Sequence, residues 1–153
     1  MSPRKLFRAV AFAEAVTWTL LIIGLILKYV TETTEIGVRI GGGIHGFVFL
    51  CYVVVTVFLW VNQKWPAKTG ALAVVSAIVP YATIPVEKSL DHRGMLDGGW
   101  RLAEGGEEPH GFIETLQAWV LGHLLLAVVI AVVAVAVVFS VLLLLGPPGE
   151  WFN

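Results

Sequence analysis

Residues 117–145 read QAWVLGHLLLAVVIAVVAVAVVFSVLLLL, a run without a single Asp, Glu, Lys or Arg. A hydrocarbon core about 30 Å thick is crossed by roughly 20 apolar residues at 1.5 Å rise each, so this run spans it with some tilt. Lipid is the solvent such a segment demands. The rest of the chain agrees: of 153 residues 58% are apolar and only 14% charged, and the mean hydropathy is +0.85, values that set it among integral membrane proteins. The spans leave no room for a separate nucleotide-binding or substrate domain. A net charge of −1 offers no basic patch for nucleic acid. The one cysteine, Cys51, cannot form an intrachain disulfide and reads as a small packed hydrophobe.

Four apolar stretches, at about 6–30, 40–61, 70–86 and 116–145, predict an all-α fold: an integral membrane four-helix bundle forming a single transmembrane domain over residues 1–153. The first follows Arg4, Lys5 and Arg8 but is too long for a signal h-region and reads as a retained anchor. The second opens with GGGIHG, where Gly37, Gly41 or Gly42, and Gly46 recur at spacings that let helix backbones approach closely. Pro80 and Pro85 in the third predict a kink in its outer half. Ala127, Ala131 and Ala134 give the fourth a small-residue face. Trp18, Trp60, Trp65, Trp119 and Trp151 read as interfacial anchors.

With four spans, Lys and Arg divide five and five between the two sides. Because the first helix dominates and long loops cross largely regardless of charge, both termini are expected in the cytoplasm of a bacterial plasma-membrane protein. Residues 88–114, with six glycines and an acidic bias, then form an extracytoplasmic loop without a core of its own. Trp100 is its candidate anchor.

Polar groups inside the spans are the candidate functional residues. Glu14 lies roughly 12 Å into the first helix, where an ionisable group is costly unless paired, protonated or hydrated. Depth counting puts Ser76 on the third helix, and Thr56 or Tyr52 on the second, near its level as hydrogen-bond partners. His45 and His123 occupy one layer, about 7 and 10 Å inside their helices, with Tyr81 close by. Two histidines at matched depth could ligate haem or a metal, although hydrogen bonding to a neighbouring helix is the commoner use. His92 and His110 with Asp91, Glu107 and Glu108 lack the tight spacing of a metal motif. No metal site and no resident cofactor are predicted. Nothing matches a phosphate loop, a nucleophile elbow or a cysteine–histidine arrangement, so no enzymatic activity is expected.

The order FRAVAFAEAVTWTLLIIGLILKY, GGGIHGFVFLCYVVV, a short basic turn and SAIVPYATIPVEK resembles the YdzA-like family of small bacterial integral membrane proteins of unknown function, over about the first 88 residues. The shared landmarks are Glu14, Lys28, His45-Gly46 and Pro80. Tyr81-Ala82-Thr83 departs from the family's usual sequence after that proline, and the long loop with a fourth helix is an addition. The resemblance implies a three-helix membrane core and no established reaction.

The leading functional expectation is a non-catalytic accessory or assembly subunit of a larger membrane complex, for example one of the respiratory chain. The alternative is a small proton-coupled transporter acting as a homodimer through Glu14, since AFAEAVTW is locally similar to the membrane-embedded glutamate helix of the small multidrug resistance family. A third is a haem-carrying electron-transfer subunit using His45 and His123.

Overall fold

The computed structural model describes residues 1–145; the Trp151 anchor lies outside them. Every regular element among the described residues is helical: α1 (Pro3–Tyr29), α2 (Ile36–Asn62), α3 (Ala67–Val75, tightened by a 3₁₀ turn at Ser76–Ile78), α4 (Thr83–His92), α5 (Gly111–Gly122) and α6 (Leu124–Leu145). The chain divides into two compact units, one running from Met1 to Arg101 and the other from Leu102 onward.

In the first unit α1 and α2 are the two helices long and apolar enough to cross a membrane, and most of their apolar surface faces outward. At 27 residues each, they measure roughly 40 Å. Ser2 caps α1 by accepting the Lys5 amide, and Pro3 occupies its first turn, where a missing amide costs nothing. The two helices are antiparallel and touch backbone to backbone. A methyl group added at Gly24 would lie 2.6 Å from the Gly37 carbonyl carbon, and one at Gly41 would lie 2.9 Å from the Leu20 carbonyl oxygen. The close-packing face is therefore Gly24, Gly37 and Gly41. Gly42 meets only a Leu21 methyl at 3.8 Å and Gly46 meets nothing within 4 Å, so these two, expected at the interface, lie off it by one helical position or more.

The third apolar stretch is not one long helix but two short ones. α3 leaves the end of the unit that holds the amino terminus, here the near end, and packs back along α2; the chain then reverses at 79–82, and α4 returns along α1. The reversal has a local cause. Pro80 biases Val79 to its extended conformation (ψ 125°) and ends the helix, Tyr81 takes a left-handed φ of 64°, and Thr83 starts the next helix. Pro85 is tolerated at the third position of α4 because the first four amides of a helix have no intrahelical partner. Trp60 lies flat over Gly70, where a methyl group would fall within the ring. Its indole N–H donates to the Trp65 carbonyl at 2.9 Å, which fixes the tight α2–α3 turn.

The segment after α4 therefore stays at the near end. Trp65 donates to the Met95 carbonyl (2.8 Å), Asn62 to Gly99 (3.1 Å), Gln63 to Asp97 (3.0 Å), and Trp100 to the Met1 carbonyl (2.8 Å). Residues 88–101, expected across the membrane from the amino terminus, lie beside it. The core of the unit gathers here around Phe7, Ala11, Tyr52, Leu59, Trp65, Ala73, Leu90 and Leu96. Of the tryptophans read as anchors, Trp65 is buried in the core and half-buried Trp18 hydrogen-bonds the Ala77 carbonyl.

In the second unit α5 and α6 meet at 108°. His123 sits at the break with non-helical torsions, stacked on Trp119, and its Nδ1 lies 3.1 Å from the Trp119 carbonyl. The predicted fourth span is thus a bent pair. Ala131 is exposed and Ala127 half-exposed, so the expected alanine stripe is no interface within this unit.

Candidate functional site

Matched spacing builds the site. Arg4, Arg8, Ala11 and Glu14–Ala15 fall on one face of α1, and Thr83, Glu87 and Asp91 on one face of α4, each set stepping by three or four residues. Because the helices are antiparallel, the two rows meet in order. At the near end Arg4 pairs with Asp91 and, at 2.6 Å, with Asp97. One turn deeper, Arg8 bonds Glu87 through Nε at 2.8 Å and Asp91 through a terminal nitrogen at 2.9 Å. Arg8 keeps a solvent-facing side, whereas Glu87 is buried.

Glu14 closes the row, fully buried. Its partner is Thr83, whose hydroxyl lies 3.1 Å from Glu14 Oε2 and 3.1 Å from the Ala11 carbonyl. One hydroxyl proton cannot serve two acceptors fully. With the carboxyl protonated, Glu14 donates to Thr83 and Thr83 to Ala11, so both contacts become full hydrogen bonds and no bare charge is buried. Glu14 Oε1 has no hydrogen-bond partner. The nearby Trp18 indole N–H donates to the Ala77 carbonyl at 3.3 Å, tying α1 to the hairpin tip.

The residues expected to meet Glu14 bond elsewhere. Tyr52 donates to the Ala73 carbonyl at 3.0 Å and lies 3.1 Å from Ser76, while Thr56 donates to the Tyr52 carbonyl at 2.7 Å. His45 is buried with Nδ1 3.1 Å from the Thr17 hydroxyl, and its ring packs 4.4 Å from Trp18 and 6.4 Å from Phe49. Thr17 in turn donates to the Glu14 carbonyl, so His45 and Glu14 belong to one cluster through α1. Tyr81 is half exposed at the hairpin tip, 3.2 Å from the Thr19 hydroxyl. His123 lies in the second unit. Sequence reasoning missed Thr83 and Glu87, although the reciprocal Arg4/Arg8 and Glu87/Asp91 spacing was there to be read.

Residues 4–92 match the family described as Domain of unknown function (DUF3817), and the matched stretch ends where α4 ends. The chain is 43% identical over 84 residues to membrane protein SCO5905 of Streptomyces coelicolor, an alignment covering 54% of this chain and 10% of that protein. It is 29% identical over 90 residues to the uncharacterized membrane protein YdzA of Bacillus subtilis, covering 58% of this chain and 93% of that one. No solved structure matches. The resemblance read from the sequence therefore holds, and the chain belongs to the DUF3817 family of membrane proteins of unknown function.

Proposed function

We propose that this chain is a non-catalytic accessory module of a larger bacterial membrane assembly, with α1 and α2 crossing the plasma membrane and α3–α4 re-entering it from the cytoplasmic face. The observation that carries the reading is the pairing of relatives. The stretch shared with this chain makes up nearly all of the Bacillus protein and a tenth of the Streptomyces protein. A module found alone and inside a much longer membrane chain suits a part that works on a larger neighbour. The buried polar groups support this use, since Glu14–Thr83–Ala11 and Tyr52–Ser76 tie the hairpin to α1 and α2, and Thr17–His45 ties α1 to α2. Orientation follows from charge. With the hairpin returning, eight of the ten Lys and Arg residues lie at or beyond the near end, and Lys28 and Arg39 alone mark the far end, a bias that favours a cytoplasmic near end.

Mild-detergent purification of the tagged chain from its native membranes, read by mass spectrometry, tests the proposal. A stoichiometric larger membrane partner is expected; a solitary chain overturns it. A second reading, a proton-coupled transporter acting through Glu14 as a homodimer, is favoured by the unpartnered Oε1 and by the row of charged groups leading inward to it. It predicts proton-driven uptake in vesicles that Glu14→Gln abolishes, and normal uptake by that variant removes it.

A further inference from the structure

A cleft of about 420 Å³ lies between α3 and α4, lined only by residues of these two helices and Arg93, within the range of small-molecule sites. Its lining is layered. At the near end Lys68, in the first turn of α3, faces Arg93, the residue that ends α4. Neither has an acidic partner among the described residues, in contrast to Arg4 and Arg8, each of which pairs with two carboxylates. Thr69 and Ser89 come next along the two helices, with Leu90 beside Ser89, and deeper still Leu72, Pro85 and Val86 form apolar walls.

Cations at the water boundary, hydroxyls below them and hydrocarbon beneath reproduce the order of phosphate, glycerol ester and acyl chain in a phospholipid. Basic pockets between membrane helices on the cytoplasmic side are the established means of holding anionic head groups. We propose that this cleft binds an acidic phospholipid, with its phosphate between Lys68 and Arg93 and one acyl chain along Leu72 and Val86. The charge complementarity selects the occupant: a zwitterionic lipid satisfies the apolar walls but leaves a net positive mouth uncompensated.

The test uses the full chain, purified and delipidated in neutral detergent, titrated with phosphatidylglycerol or phosphatidylcholine and read by native mass spectrometry. Phosphatidylglycerol is expected to bind preferentially. Lys68→Gln/Arg93→Gln should weaken it about thirtyfold, from two surface cations near an anionic lipid, while Lys28→Gln/Arg39→Gln at the far end leaves it unchanged. Leu72→Trp, at an exposed position, should block the cleft with both cations intact and decides the matter if the double variant misfolds. Equal binding of the two lipids, or undiminished binding in the Leu72→Trp protein, overturns the proposal. Displacement of the lipid by millimolar inorganic phosphate would instead assign the mouth to a free anion and also overturn it.

Discussion

Replacing Thr83 by Val removes one buried hydroxyl and changes little else in shape, which makes it the sharpest probe of the Glu14 cluster. Thr83 is fully buried and stands between the Ala11 carbonyl and Glu14 Oε2 at 3.1 Å each. Each hydrogen bond contributes about 1 kcal/mol net, and a buried carboxyl that loses its partner adds a desolvation cost of about 1–3 kcal/mol. Thr83→Val should therefore cost about 3–5 kcal/mol. Glu14→Met removes only the Glu14–Thr83 bond and leaves Thr83 donating to the Ala11 carbonyl, at a cost of about 1 kcal/mol. The double variant Glu14→Met/Thr83→Val leaves an apolar pair of similar volume and should lie within about 1 kcal/mol of the parent, because replacing both partners removes the unsatisfied group. The assay is reversible unfolding of the purified protein in mixed micelles, analysed as a double-mutant cycle. A coupling of about 3 kcal/mol or more is expected. Strictly additive single effects would refute the inference that Thr83 holds Glu14.

Gly24→Ala should loosen the α1–α2 crossing, since its methyl group would sit 2.6 Å from Gly37 backbone atoms and overpacking costs about 1–3 kcal/mol; Gly46→Ala, which meets nothing, should be neutral or stabilising in the same unfolding assay. Arg8→Gln leaves buried Glu87 without its main counter-charge and should lower the melting temperature clearly more than Asp97→Asn, because Asp97 is exposed and its pairing with Arg4 is screened. Arg8→Gln/Glu87→Gln should recover much of that loss, and equal melting temperatures for Arg8→Gln and Asp97→Asn would contradict the proposed row.

Hydropathy located α1 and α2 because each is a single long apolar run, but it counts residues without recording direction. Residues 70–86 carry enough apolar side chains for a short span, and Pro80 read as a kink rather than a reversal. That one choice propagated. A straight third helix brings Ser76 to the depth of Glu14 and carries residues 88–101 to the far side; the reversal instead brings Thr83 to Glu14 and Asp91 to Arg4. The depth of Glu14 was legible from one helix alone, whereas its partner depended on the path of another. The glycines show the same limit. Their spacing identified α2 as a close-packing helix, but selecting Gly37 and Gly41 over Gly42 and Gly46 required the rotation of α2 about its axis, set by where Gly24 and Leu20 fall on α1.

The direction of the hairpin is the claim on which the rest stands, and cysteine accessibility measures it. In a Cys51→Ala background, single cysteines at Ser2, Thr33, Val79 and Asp97 are exposed to a membrane-impermeant maleimide in spheroplasts and in inverted vesicles. The account predicts that positions 2 and 97 label from the same face, position 33 from the opposite face, and position 79 at the hairpin tip from neither. Labelling of position 97 together with position 33 would mean that residues 70–86 cross the membrane completely, and would contradict it.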